Sequence, residues 1–238
     1  MVEIKIQEKS YDIPTEWKDI TLRYWCGLYS IINQYNKRDD EGNVVSPYFF
    51  LDIAKRIGRI TDLTKIMISK LVEKMKDNNH SFSINFTEEC FLDQELVDFL
   101  ISELLDNWIP PSRLIIEMLE SVVDEEWKVM DIIKQLKDVW FKIALDDFWS
   151  GRSNFMRLFE MKPDFVKMDW SLIKWINNDK KKVKAVKAFY DFAKALWADV
   201  IAEFVEDEEV QKVLDIIWIE YSQGYLFSKP SEKLIWEE

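Results

Sequence analysis

A chain of 238 residues, 48% of them hydrophobic, can hold one large domain with a sizeable core or two small ones. Its net charge of -12 argues against a polynucleotide or an anionic membrane surface as the main partner, though a bound cation would still admit a small phosphate ligand. Cys26 and Cys90 give no disulfide framework, no apolar run follows a basic N-terminal segment, and no stretch is long enough to span a bilayer, so a cytoplasmic protein is expected.

Residues 1–19 are polar and weakly patterned, and a first strand is expected over 20–32. A charged turn follows at 37–43. Ser46 and Pro47 then start a helix, with Ser as N-cap and Pro at the first helical position. That helix runs to about Ile57, with Gly58 as its stop. Thr61 is the expected cap of a second helix, where Leu63, Ile66, Met67 and Leu71 keep helical spacing. Strand-like and helical stretches then alternate. Strands are expected over 81–86, 114–119, 142–148, 165–169, 200–205 and 221–227. Helices are expected over 95–105, 124–139, 154–160, 179–196 and 208–217. The lone His80 lies in a polar loop, where a solvent-exposed histidine is the ordinary case.

Sustained strand–helix alternation predicts a parallel sheet with helical crossovers. Burial on both faces explains why the strands read as apolar runs. The length suits a TIM-like (β/α)8 barrel in the α/β class, as a single domain over 1–238. A doubly wound open sheet is the structural alternative, but no GxGxxG or P-loop supports it.

Polar residues recur in or at the ends of these strands. They are Asn85, Glu117, Asp146 with Asp147, Lys167 with Asp169, Glu203 with Glu206, and Gln223. In a barrel all the C-terminal strand ends share one face, so these groups converge there. Two adjacent carboxylates repel unless a cation lies between them or one keeps its proton. Oxygen ligands of this kind suit Mg²⁺ or Mn²⁺, and paired aspartates can bridge two such ions, an arrangement used for phosphoester hydrolysis. Lys167 among acids could orient or activate a water. Ordinary salt bridges at the barrel rim are the bland account of any one of these residues.

In order, several stretches resemble the EAL domain, a bacterial cyclic-di-GMP phosphodiesterase family. They are Ser46-Pro47-Tyr48-Phe49-Phe50, Ser83-Ile84-Asn85, Ile116-Glu117-Met118-Leu119-Glu120-Ser121 and Leu145-Asp146-Asp147-Phe148-Trp149-Ser150-Gly151. Lys162-Pro163-Asp164-Phe165-Val166-Lys167-Met168-Asp169, Ile201-Ala202-Glu203-Phe204-Val205-Glu206 and Gln223-Gly224-Tyr225 complete the set, which spans roughly 45–230. The resemblance implies hydrolysis of cyclic-di-GMP to linear pGpG. It implies metal ligation by Asn85, Glu117, Asp146, Asp147 and Glu203, with Lys167 positioning the attacking water and Gln223 lining the site. It implies that Glu206 holds the loop after the strand carrying Glu203, and that a homodimer forms next to the loop carrying Asp146 and Asp147. The Glu-Ala-Leu triplet that names the family is missing. Its place reads Tyr24-Trp25-Cys26-Gly27-Leu28-Tyr29-Ser30, within a divergent region at 1–44. A degenerate member that binds the nucleotide or a protein partner without turnover is the alternative.

The chain has 5 glycines and 11 tryptophans. Trp149 stands where the resembled family has glycine. Trp108, Trp140, Trp197 and Trp218 each follow a helix, where a left-handed turn wants glycine. Trp17 and Trp170 also fall where a turn would suit glycine. Reading UGA as tryptophan in a lineage that decodes it as glycine would produce this pattern, and real aromatic drift or deliberate redesign is the bland alternative.

Overall fold

The computed structural model describes residues 54–123, 127–148 and 155–227, together with the backbone of strands at 3–7 and 23–27. The helix start at Ser46, the turn at 37–43, and Trp17 and Trp149 lie outside the described residues. Eight strands form one sheet in sequence order: β1 (Glu3–Gln7), β2 (Arg23–Gly27), β3 (Ser81–Asn85), β4 (Leu114–Leu119), β5 (Lys142–Phe148), β6 (Phe165–Met168), β7 (Asp199–Ala202) and β8 (Tyr221–Ser222). From β2 to β8 every pairing is parallel. Among the described residues a helix ends at 54–56, and the whole helices are α1 (Ile60–Lys76), α2 (Glu88–Leu92), α3 (Gln94–Asp106), α4 (Trp127–Asp138), α5 (Phe155–Met161), α6 (Trp170–Ile173), α7 (Lys180–Ala195) and α8 (Glu208–Ile217). The architecture is the expected TIM-like one, with several corrections.

The sheet is not wholly parallel, because β1 runs antiparallel to β2. β1 itself lies in the segment that reads as polar and weakly patterned. Thr61 does not cap α1. The helix starts two residues earlier than that cap would place it, and its N-cap Arg59 makes no side-chain capping bond. Asp169 is not part of β6. Its carboxylate accepts the Ser171 N–H at 3.0 Å and so starts α6. β7 stops at Ala202, and the chain turns at Phe204, where φ is 56°. β8 keeps only two residues of the expected seven.

Alternation along the strands sorts side chains to two faces. Ile116, Met118, Ile143, Leu145, Val166, Met168, Val200 and Ala202 join the helices in the large core cluster. Ile115, Ala144, Phe165 and Ile201 form a second cluster, with Tyr221 against it. That second cluster is one apolar layer inside the curve of the sheet. Below it, Asp164 laces three strands together. Its carboxylate accepts from the Lys142 Nζ at 2.8 Å and the Ile143 N–H at 3.0 Å, while its carbonyl accepts from the Asp199 N–H at 2.9 Å. These donors hold its carboxyl below the usual range despite burial.

The short β8 is tied to β7 through the backbone. Gln223 N–H donates to the Ala202 carbonyl at 2.7 Å, and Leu226 N–H donates to the Val205 carbonyl at 3.0 Å. Gly224 makes this approach possible, since a Cβ there would stand 2.1 Å from the Val205 oxygen and 2.4 Å from its nitrogen. Backbone cannot yield as a side chain can. Gly224→Ala is expected to destabilise the fold by about 3 kcal/mol, the upper end for overpacking. A melting temperature equal to that of the unaltered chain would contradict this.

Candidate active site

Four strands deliver the site by one rule of spacing. Two residues beyond Ile115, Ala144, Phe165 and Ile201 come Glu117, Asp146, Lys167 and Glu203. The same face that is apolar in one layer is ionic in the next, toward the C-terminal strand ends. Lys167 is fully buried at the centre. Its Nζ lies 3.0 Å from Glu117 Oε2, 3.0 Å from Asp146 Oδ1 and 2.8 Å from Glu203 Oε1. Burial alone would lower its pKa. Asp146, Glu117 and Glu203 reverse that and hold it well above the ordinary lysine value.

Strand alternation would send Asp147 to the opposite side from Asp146. The register of β5 against β6 shifts between Leu145 and Phe148, and Asp147 has φ 54°. This irregularity turns both carboxylates toward the site, as bulges beside functional groups do. Asp147 N–H donates to Asp146 Oδ1 at 3.0 Å. Phe148 anchors the far side, fully buried and stacked on Phe189 with centroids 5.2 Å apart.

Asp146, Asp147 and Glu203 each offer a carboxylate oxygen, all within 4.8 Å of one another. Burial and the neighbouring Asp146 raise the Asp147 carboxyl. Burial pushes Glu203 up to about 7, where the pull of Lys167 is offset by Asp146 and Glu117. One ammonium therefore does not neutralise the cluster. Hard oxygen donors with surplus negative charge fit a divalent cation. A raised carboxyl means that the folded state binds protons more tightly than the unfolded one. Without divalent cations, stability should fall as pH rises from 4.5 to about 7. Thermal melts in chelator should show that fall, and Glu203→Gln should flatten it. A parallel decline in both proteins would contradict the assignment.

The other expected residues lie at or just beyond the C-terminal ends of neighbouring strands. Asn85 is half-buried and in register with Glu117. Gln223 is buried, and its carbonyl accepts the Val205 N–H at 2.9 Å, next to the chain carrying Glu203. Asp169 is buried beside Asp147. Glu206 is exposed, just ahead of the α8 N-cap Asp207. β2 brings no carboxylate, since its residues are Arg23-Tyr24-Trp25-Cys26-Gly27. Sequence reasoning gave Asp164 no role, and its partner Lys142 lies at the opposite end of β5 from the site.

The family model for the EAL domain matches residues 35–230. The chain belongs to the EAL domain family. The match begins after β2, so the strand without a carboxylate lies outside it. Cyclic di-GMP phosphodiesterase PdeB of Shewanella oneidensis is 28% identical over 195 residues, covering 79% of this chain and 23% of that protein. Cyclic di-GMP phosphodiesterase PdeA of Borreliella burgdorferi is 33% identical over 156 residues, covering 65% and 23%. This EAL chain thus spans about a quarter of the length of those relatives. The EAL domain of FimX from Pseudomonas aeruginosa, solved bound to c-di-GMP, shares the fold. Its TM-score is 0.82 at 18% identity, with 98% of this chain and 90% of that one covered. No helix among the described residues is long and apolar enough to cross a membrane.

Proposed function

We propose that this EAL domain is a metal-dependent phosphodiesterase that hydrolyses cyclic-di-GMP to linear pGpG. The observation that carries the reading is the ionic layer of Glu117, Asp146, Lys167 and Glu203, completed by Asp147. The names of the curated relatives supply the substrate.

Asp146, Asp147 and Glu203, with Glu117 and Asn85, would hold a pair of Mg²⁺ or Mn²⁺ ions. Such ions, when bound, supply Lewis-acid stabilisation of the phosphoryl oxygens and a water of lowered pKa. The chain's own residues do the rest. Lys167 stays cationic with its three N–H donors facing Glu117, Asp146 and Glu203, and with one of these carboxylates drawn away to a cation a donor would be free to position the attacking water. Glu203 belongs to both halves of the site, because it meets Lys167 and the aspartates. It can take the water's proton as the new P–O bond forms and pass it to the ribose oxygen as that oxygen's bond to phosphorus breaks, leaving a free hydroxyl. Gln223 lines the site from the β8 side. Apolar Ile115, Ala144, Phe165 and Ile201 close the floor and exclude bulk water, which strengthens every charge interaction above them.

The missing carboxylate of β2 favours a second reading, a domain that binds cyclic-di-GMP without turnover. A panel of cyclic-di-GMP, linear pGpG, cyclic AMP and a simple phosphodiester, each with Mg²⁺ or Mn²⁺, separates the two. Turnover of cyclic-di-GMP alone supports the enzyme. Cyclic-di-GMP binding with no product leaves the receptor. Turnover of the simple phosphodiester in preference to cyclic-di-GMP would overturn both.

A further inference from the structure

The tryptophans occupy positions that suit tryptophan badly. Seven have described side chains, and every one is on the surface, from 46% exposed at Trp170 to 93% at Trp108 and Trp197. None of these joins the buried core, where so large a ring gains most. Five carry left-handed backbone: φ is 58° at Trp108, 74° at Trp140, 61° at Trp175, 63° at Trp197 and 75° at Trp218. In that conformation Cβ crowds the following carbonyl, so glycine is the default. Trp170, by contrast, opens α6 with ordinary backbone.

Four of the five close helices with one hydrogen-bond pattern. After α3, Trp108 N–H donates to Leu105 O at 3.0 Å and Ile109 N–H to Leu104 O at 2.9 Å. After α4, Trp140 N–H reaches Lys137 O at 2.9 Å and Phe141 N–H reaches Leu136 O at 3.0 Å. After α7 and α8 the same pair is made by Trp197 with Ala198 and by Trp218 with Ile219, all at 3.0 Å. The residue after each tryptophan is buried, which completes the motif. The chain contains an internal reference. Gly58 N–H donates to Lys55 O at 3.1 Å and Arg59 N–H to Ala54 O at 2.8 Å, with φ 66° at Gly58. The backbone is the same, and there the residue is glycine.

We infer that positions 108, 140, 175, 197 and 218 are glycine in the natural protein, encoded by UGA in a lineage that reads UGA as glycine. The tryptophans arise when that gene is read with a code in which UGA means tryptophan. Independent mutation would scatter over residue types and would be selected against where the backbone rejects a β-carbon. A change of codon meaning places one residue type, and only that one, at former glycines. Composition agrees in direction: the chain has 5 glycines and 11 tryptophans, and returning the five gives 10 glycines and 6 tryptophans, which moves glycine toward its ordinary share of roughly 7%. The same change at Trp149 would restore a glycine beside Asp146 and Asp147. The inference does not depend on the catalytic reading.

Two measurements test it. The first reads the five codons in the source genome and the peptide masses of the protein from its natural host. UGA codons with glycine masses are expected. UGG at any of the five codons, or tryptophan in the natural protein, overturns the common origin. The second compares melting temperatures of the tryptophan-bearing chain and its single Trp→Gly variants. Each of the five should raise the Tm by roughly 2–4 °C. Trp127→Gly, on the right-handed backbone of α4, should give no rise. Failure of the fivefold variant to melt higher than the tryptophan chain overturns the claim that these positions demand glycine.

Discussion

Asp146→Asn is expected to lower cyclic-di-GMP turnover by about a thousandfold or more, with little change in melting temperature. A metal ligand in a phosphoryl-transfer site supports several kcal/mol of transition-state stabilisation, and about 4 kcal/mol corresponds to three powers of ten in rate. Structure survives because Lys167 keeps Glu117 and Glu203 as partners at 3.0 and 2.8 Å. The asparagine retains the shape but loses the charge. A comparable drop in Tm and activity together would place Asp146 in the fold, not the chemistry. Turnover within a few-fold of the unaltered chain would remove it from the metal set.

Lys167→Met has the opposite signature, a large loss of both. Methionine matches the volume but leaves Glu117, Asp146 and Glu203 facing one another, with Asp147 alongside. Breaking a buried ion pair from one side costs about 3–5 kcal/mol, because the remaining charge stays desolvated. The raised pKa of Lys167 fixes the sign. Its stabilisation is complete below its unfolded value of 10.5 and fades only as pH rises through the higher folded value. The deficit of the variant should therefore be full near neutral pH and shrink in acid, as the carboxylates take up protons. Added Mn²⁺ should recover part of the stability without recovering turnover. Denaturant unfolding in chelator checks this, and a variant as stable as the parent at pH 7 would contradict it.

The readable parts of the chain share a physical cause. β4, β5 and α8 are found at the expected residues, because their apolar runs are bounded by sharp signals. Prolines precede β4, and Asp207 caps α8. The ionic layer was legible because Glu117, Asp146, Lys167 and Glu203 interrupt apolar strands in the same phase. Asp147 was harder, since alternation sends it outward and only the β5 irregularity brings it back. The run from Val200 to Val205 reads as one strand, yet Phe204 takes a left-handed turn that no local signal announces. Asp169 could have been read as a cap from the Ser171 that follows, but its position after an apolar run favoured the strand end. The antiparallel pairing of β1 is set by where β2 lies, which local sequence does not encode. The left-handed helix ends were legible in a different sense. The positions after α3, α4, α7 and α8 call for glycine, and the residue there is tryptophan.

This ionic layer is expected to hydrolyse cyclic-di-GMP without a carboxylate from β2. A time course of cyclic-di-GMP with the chain and Mn²⁺, resolving linear pGpG by chromatography, tests it most directly. Linear pGpG should accumulate with time, stop forming on chelation and be absent with Asp146→Asn. Cyclic-di-GMP that binds yet stays intact over the same course would contradict it.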